Sequence, residues 1–112
     1  MEISIVIGSV TVLAVKGAID SNTFREVADK AETLVNQGYD KLVLDLHEVN
    51  YISSAGLVAL QTIVGRAASH GGQAVLCGVT SRVAQVLELT GFAQKISIFP
   101  DLAAATSSFG QV

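Results

Sequence analysis

Residues 42–57 read LVLDLHEVNYISSAGL, and this stretch holds the end of one element, a loop and the start of another. The run Leu42–Leu46 is almost continuously apolar, which predicts a buried strand. From Ala55 to about His70 the apolar residues recur at helical spacing, which predicts a helix. Ser53 and Ser54 therefore lie at or next to a helix N-terminus, where the first backbone N–H groups lack intrahelical partners and negative charge is stabilised. A hydroxyl in that position either caps the helix or is a phosphorylation site.

Length and composition predict one domain that covers residues 1–112. Half of the residues are hydrophobic, but no run approaches the roughly 20 apolar residues that span a bilayer, so we expect no membrane insertion. The first residues carry no basic region ahead of an apolar segment, so we expect no secretory signal and a cytoplasmic location. The net charge is −3 and the basic residues are scattered, which argues against nucleic-acid binding.

The chain before the serine pair predicts a hairpin and a helix. Two β-branched runs, Ile3–Ile7 and Val10–Lys16, are separated by Gly8-Ser9, which predicts two strands joined by a two-residue turn. Asp20 and Ser21 are both good caps for a helix that follows. Its apolar positions run from Phe24 to Val35 at helical spacing, and Gly38 is the predicted stop.

The rest of the chain alternates strands and helices. In order, the predicted elements are a central strand Asp40–Leu46, a helix from about Ser54 to Gly71-Gly72, a strand Ala74–Val79, a short helix capped by Thr80-Ser81 and ended by Gly91, a strand Ile96–Phe99, and a last helix from Leu102 to about Ser108 capped by Asp101. The tail Gly110–Val112 is predicted to fray.

The predicted order is β-β-α-β-α-β-α-β-α, an α/β fold with a mixed, mostly parallel five-stranded sheet and four helices. Ligands and partners of such sheets meet the loops beyond the carboxyl ends of the strands. We therefore expect the loops Gly17–Ser21, His47–Ser54 and Thr80–Arg82 to lie on one rim.

Few residues suggest catalysis or a metal site. Cys77 is the only cysteine and lies in an apolar run, which predicts a buried, unreactive thiol. His47 and His70 are expected to be loop or helix-end residues, and no metal site is expected from them. Asp45, inside an apolar run, is expected to hydrogen-bond near a strand end. The chain has neither a glycine-x-serine-x-glycine elbow nor a phosphate-binding loop, so we expect no enzyme and no cofactor.

Three segments resemble the STAS family, the sulfate-transporter and anti-sigma-factor-antagonist domains. The segment 42–57 resembles the strand, loop and helix start that carry this family's phosphorylated serine. Residues 15–20 (VKGAID) are similar to the signature before the first helix, and residues 87–92 (LELTGF) with 98–101 (IFPD) are similar to the closing segment. The resemblance covers nearly the whole chain and implies a STAS-like fold.

Small stand-alone members of the family are anti-sigma factor antagonists, so the resemblance implies partner switching. The unphosphorylated domain would bind a serine kinase that is also an anti-sigma factor, phosphorylation would release it, and a serine phosphatase would restore binding. The phosphoacceptor carried over is Ser54, two residues before Gly56. Many members have aspartate where this chain has Ser53, and a hydroxyl residue where it has Ala55. Ser53 is therefore a second candidate acceptor.

The predicted partner-binding residues share the rim. They are Asp20, Ser21, Asn50, Tyr51, Ser53, Ser54, Gly56, Leu57 and Ser81. Gly56 is expected to allow a close approach of a neighbouring segment, and Leu57 is either core or interface. We expect a monomer or a weak dimer. The alternative function is a constitutive subunit of a larger assembly, such as a lipid-transport ATPase accessory protein or a stress-signalling scaffold, with Ser54 only a helix cap.

Overall fold

The structure is a computed structural model that describes residues 1–110. Its strands are β1 (Glu2–Val6), β2 (Thr11–Lys16), β3 (Lys41–Glu48), β4 (Gln73–Cys77) and β5 (Ile98–Phe99), and its helices are α1 (Phe24–Asn36), α2 (Ser54–Ser69), α3 (Ser81–Leu89) and α4 (Leu102–Ser107). A 3₁₀ turn at Phe92–Gln94, which the sequence analysis missed, follows α3. The predicted order of strands and helices is confirmed. Of the tail predicted to fray, residues 111 and 112 lie outside the described residues.

The five strands form one sheet in the order β1-β2-β3-β4-β5. β1 pairs antiparallel with β2, and the other three pairings are parallel, so the predicted mixed sheet is confirmed. β3 is the central strand, as its continuous apolar run predicted. Its carboxyl end, and those of β2 and β4, therefore point to the same edge of the sheet.

Two apolar layers lie between the sheet and the helices, one on each face of the sheet. Leu42, Leu44 and Leu46 of β3 are fully buried in the larger layer, under α1, α2 and α3. Val43 points to the opposite face because successive side chains alternate along a strand, and there it packs in the smaller layer with Ala105 of α4. β3 is therefore apolar on both faces, and it positions the loop that leads to Ser53 and Ser54.

The predicted two-residue hairpin turn is wrong. Val6 pairs with Val12, so five residues separate the last paired positions of β1 and β2. Thr11 shapes this longer loop, because its hydroxyl donates to the Gly8 carbonyl at 3.3 Å and accepts the Gly8 N–H at 3.5 Å. Ile7 and Val10, which we predicted in strands, consequently lie in the loop.

The predicted caps of the first helix are also wrong. Its N-cap residue is Thr23, and neither Asp20 nor Ser21 caps α1. The Asp20 carboxylate instead accepts the Asn22 N–H at 2.9 Å and the Thr23 hydroxyl at 3.2 Å. These bonds form a turn before the helix, which delays its start to Phe24.

Several strand ends differ from the prediction by one or two residues. β3 continues to Glu48, past the predicted end at Leu46. β4 ends at Cys77 because Gly78 adopts a φ of 67°, a left-handed conformation that interrupts a strand. β5 begins at Ile98 rather than Ile96.

Within the described residues, no helix has both the length and the apolar character needed to cross a membrane.

Candidate functional site

Ser53 and Ser54 occupy different positions at the start of α2. Ser53 is the N-cap residue, with extended backbone angles (φ −97°, ψ 178°), and its Oγ accepts the Gly56 N–H at 3.3 Å. Ser54 is the first residue of the helix and is exposed. Ser53 is therefore the cap of α2, which corrects the capping role that the constitutive-subunit alternative gave to Ser54.

The loop before α2 is attached to the loop after β2. The Ser53 N–H donates to the Ile19 carbonyl at 3.0 Å, and the Ile19 N–H donates to the Tyr51 carbonyl, also at 3.0 Å. Ile19 and Ile52 form an isolated parallel bridge, and both side chains are buried. These backbone bonds place the loop that contains Asp20 beside the start of α2, as the predicted common rim requires.

Gly56 permits this close contact. A Cβ atom at this position would lie 2.5 Å from the Ile19 carbonyl oxygen and 2.6 Å from Ile52 Cγ1. Real Cβ atoms do not approach other atoms so closely, so any side chain here would separate the two loops. Gly56 therefore acts in packing: it is buried, and it presents no side chain on the rim.

Thr80 attaches the loop after β4 to the loop after β3, although the sequence analysis treated this residue only as a helix cap. The Thr80 hydroxyl accepts the Val83 N–H at 3.5 Å, which confirms the predicted cap of α3, and it donates to the Val49 carbonyl at 3.0 Å. This second bond joins residues that are 31 positions apart, so local sequence patterns could not predict it. Through it Ser81, exposed as the first residue of α3, is held near the loop that follows β3.

The side chains presented around Ser54 are a mixture of polar and apolar groups. Asn50 and Tyr51 are exposed in the loop, whereas Leu57 is half-buried and packs against the larger apolar layer. Val58, which the sequence analysis did not single out, is 53% exposed. It follows Ser54 by four residues and so lies on the same face of α2. The sequence did contain a signal for this exposure, because Val58 lies outside the apolar stripe of α2.

The remaining predicted rim residues are also at the surface. Ser21 is exposed, and Asp20 is half-buried because its carboxylate is engaged in the turn before α1. The rim therefore presents two serine hydroxyls, at Ser21 and Ser81, besides Ser54. Only Ser54 of these three begins a helix as long as 16 residues, where the helix dipole is well developed.

A histidine and an aspartate are hydrogen-bonded near the end of β3. His47 belongs to the strand rather than to a loop, which corrects the prediction, and its Nδ1 lies 2.8 Å from Asp45 Oδ1. The hydrogen bond to the Asp45 carboxylate raises the pKa of His47, and the charge of Glu48 raises it further. The Asp45 carboxylate also accepts the His47 N–H at 3.2 Å, so its expected hydrogen bonding is confirmed.

Cys77 is buried, as predicted, on the layer beneath α4. Burial raises the pKa of its thiol to about 12, and the nearby Asp45 carboxylate contributes to the shift. Since the thiolate is the reactive form of cysteine, the side chain is inert at neutral pH.

Among residues 1–110, neither histidine is positioned to act as a base for the two serines. In the described part of the chain no histidine hydrogen-bonds Ser53 or Ser54: His47 contacts Asp45, and His70 Nδ1 lies 3.0 Å from the Arg66 carbonyl oxygen. Residues 1–110 also contain no group of three or more His, Cys, Asp or Glu residues arranged to hold a metal ion. The arrangement offers an exposed hydroxyl at a helix N-terminus, a group that another protein can modify.

Comparison with known proteins assigns the family. The STAS domain family model matches residues 4–105. A protein of Bordetella bronchiseptica named "Putative anti-sigma factor antagonist BtrV" is 31% identical over 94 residues, which cover 84% of this chain and 78% of that protein.

Solved structures show the same fold at lower identity. The crystal structure of TM1081 from Thermotoga maritima superimposes with a TM-score of 0.90 at 22% identity, over 97% of this chain and 95% of that one. The anti-sigma factor antagonist SpoIIAA in its unphosphorylated form has a TM-score of 0.74 at 14% identity, over 98% of both chains. The phosphorylated form of Bacillus SpoIIAA has a TM-score of 0.73 at 14% identity, over 96% of this chain and 97% of that one.

Proposed function

This chain belongs to the STAS domain family, and we propose that it is an anti-sigma factor antagonist that exchanges partners when Ser54 is phosphorylated. The unphosphorylated domain binds an anti-sigma factor that is also a serine kinase, and a serine phosphatase reverses the modification. Residues 1–112 act as one domain in the cytoplasm, as a substrate and binding partner rather than as an enzyme. SpoIIAA, which shares the fold, is known in both phosphorylated and unphosphorylated forms.

The two serines differ in their hydrogen bonds, and this difference is the observation that supports the proposal. Ser53 Oγ is occupied by the Gly56 N–H, whereas Ser54 Oγ makes no hydrogen bond within residues 1–110. Phosphorylating Ser53 would remove the cap of α2, while phosphorylating Ser54 leaves that cap in place. Ser54 is therefore the acceptor that we favour over Ser53.

The fold should tolerate phosphate on Ser54. A phosphoserine carries close to two negative charges at neutral pH and lies here in the first turn of α2. The unpaired N–H groups and the dipole at this end stabilise negative charge by roughly 0.3–1 kcal/mol. Phosphorylation should therefore leave the domain folded and slightly stabilised.

A partner seated over the same surface should not tolerate it. Tyr51 and Val58 are large, exposed and partly apolar, and together with Ser54 they form the centre of the surface that we propose for the partner. A docked protein would desolvate the phosphate and would need cations to compensate its charge. An unfavourable change of about 3 kcal/mol weakens binding roughly 100-fold, which is sufficient to separate the complex.

The experiment is phosphorylation with matched serine variants. Wild type, Ser54→Ala and Ser53→Ala are incubated with ATP and the serine kinase anti-sigma factor encoded in the same genome, and intact mass is recorded. We expect a gain of one phosphate on wild type and Ser53→Ala, and none on Ser54→Ala. Equal phosphorylation of Ser54→Ala would contradict the assignment. Stable co-purification with an ATPase subunit, unaffected by phosphatase, would support the constitutive-subunit alternative instead.

A further inference from the structure

The two edges of the sheet are built differently. β5 has only two residues and is followed at once by Pro100, whereas β1 has five residues and contains no lysine, proline or glycine. An edge strand presents unpaired backbone N–H and C=O groups, and native proteins protect such edges by shortening, charging or interrupting them. β5 is protected in this way, whereas β1 carries a charge only at its first residue, Glu2, and none over the four residues that follow.

β1 also leads into an exposed apolar run. Ile5, Val6 and Ile7 are 39%, 67% and 55% exposed, although all three are apolar and consecutive. Ile5 pairs with Leu13, a residue of the larger apolar layer, while Val6 pairs with Val12, which packs against the smaller layer, so the two side chains lie on opposite faces. Because both faces of the strand are apolar at its edge, a strand added alongside would bury side chains on both.

A groove beside Ile5 carries both signs of charge. It has a volume of about 380 Å³ and lies between β1 and α1, where Asp29, Lys30 and Thr33 line it. Asp29 and Lys30 are exposed, and neither forms an ion pair within the described part of the chain. The groove thus offers one free carboxylate and one free ammonium group next to an apolar edge.

We propose that two copies of this chain pair antiparallel through β1, with a two-fold axis at Ile5, and so join their sheets into one of ten strands. This register places Ile5 against Ile5, Ile7 against Ile3, and Val6 against Ser4 of the partner copy. A two-fold interface uses the same patch twice, so the patch must be complementary to itself. The register meets that condition because apolar residues oppose apolar or small residues on each face.

The charges of the groove favour the same partner. Asp29 and Lys30 both line the groove beside Ile5, so a two-fold axis at Ile5 would bring the two grooves together, and the proposed dimer would pair Asp29 of one copy with Lys30 of the other. The contact occurs twice because of the symmetry. A patch with one charge of each sign is suited to a second copy of itself, whereas a partner with a strongly acidic or basic surface would leave one of these groups opposed by like charge.

The dimer should be weak. One strand pair with two flanking side-chain contacts is smaller than the standard protein–protein interface of roughly 1,600 Å². We therefore expect the mass of the protein in solution to rise from monomer towards dimer between about 10 μM and about 1 mM. Analytical ultracentrifugation of the full chain measures this directly, and the proposal does not depend on Ser54.

Disulfide cross-linking tests the register with a matched control. Ile5→Cys places two cysteines at the axis, where opposed Cβ atoms of an antiparallel pair lie about 4.5–5.5 Å apart, close enough for a disulfide after a small shift. Ile98→Cys is the control, since Ile98 lies on the protected edge and is 38% exposed, against 39% for Ile5. The native Cys77 is buried and does not interfere. Under mild oxidation we expect at least about fivefold more covalent dimer from Ile5→Cys than from Ile98→Cys.

Exchanging the charges at Asp29 and Lys30 tests whether the partner is a second copy of this chain. Asp29→Lys places like charges across the axis and should weaken association about tenfold, and the double variant Asp29→Lys/Lys30→Asp should restore it. Both residues are exposed on α1, so circular dichroism should show that the variants remain folded. A monomer at every concentration, equal cross-linking of the two cysteine variants, or no restoration by the double variant would overturn the proposal and leave β1 to a strand of a different protein.

Discussion

Ser53 and Ser54 are neighbours in the chain, but only Ser53 Oγ accepts a helix amide, the Gly56 N–H at 3.3 Å. Ser53→Ala should therefore lower the free energy of unfolding by about 1 kcal/mol, the usual effect of losing an N-cap. Ser54→Ala should change it by less than about 0.5 kcal/mol, because an exposed residue outside such a motif contributes little. Urea denaturation of both variants measures the difference. Equal losses would mean that Ser54 shares the capping role.

Gly56 and Gly65 lie in the same helix and predict opposite effects of alanine. At Gly56 the new Cβ would lie 2.5 Å from the Ile19 carbonyl oxygen, so Gly56→Ala should destabilise the domain by about 1–3 kcal/mol through overpacking. At Gly65 nothing lies within 4 Å of the new atom, so Gly65→Ala should stabilise it by about 0.5–1 kcal/mol through helix propensity. Thermal and urea unfolding test both, and a stabilising Gly56→Ala would refute the close approach of the loops.

The pair His47 and Asp45 predicts a pH dependence of stability. The pKa of His47 in the folded protein is raised above 6.5 by the hydrogen bond to Asp45, so the folded state binds the proton more tightly than the unfolded chain. The stabilisation is complete below pH 6.5 and is lost as the pH rises through the folded pKa. His47→Gln should therefore destabilise the protein more at about pH 5.5 than at about pH 8.5.

An NMR titration provides the control for this pair. In Asp45→Asn the carboxylate is removed, and the pKa of His47 should fall towards 6.5 because the largest cause of its shift is lost. An unchanged midpoint in Asp45→Asn would show that Asp45 does not hold the imidazolium.

Cys77 should resist alkylation in the native protein. Its thiol is buried and its pKa is raised to about 12, so almost no thiolate forms at about pH 8. Iodoacetamide should label it slowly in buffer and rapidly in urea, as measured by intact mass. Rapid labelling of the folded protein would indicate that the layer under α4 opens readily.

The fold was largely predictable from sequence because β3 has a distinctive pattern. Its run of apolar residues, broken only by Asp45, identified the central strand, and the alternation with helical segments then determined a mostly parallel sheet. The hairpin turn was mispredicted because Gly8-Ser9 indicates a turn without fixing its length. That length depends on the Thr11 hydroxyl and on the pairing of Val6 with Val12, which are contacts and not local preferences.

The position of the cap of α2 was predictable only to within a residue. Ser53 and Ser54 are equally good caps by residue type, and a helix boundary is uncertain by one or two positions, so the division between them required the bond to Gly56. The attachment of Thr80 to Val49 was not predictable, because it joins positions 31 residues apart. The contact between Asp45 and His47 did have a local signal, since residues two apart share a face of a strand.

The central claim is tested most directly by the affinity of one complex measured in two states. The chain with phosphoserine incorporated at position 54, and the unmodified chain, are titrated by isothermal calorimetry against the proposed partner, an anti-sigma factor that is also a serine kinase. We predict that the phosphoserine weakens binding at least about 100-fold while the circular dichroism spectrum and melting temperature are retained. Equal affinity of the two folded forms would contradict the account.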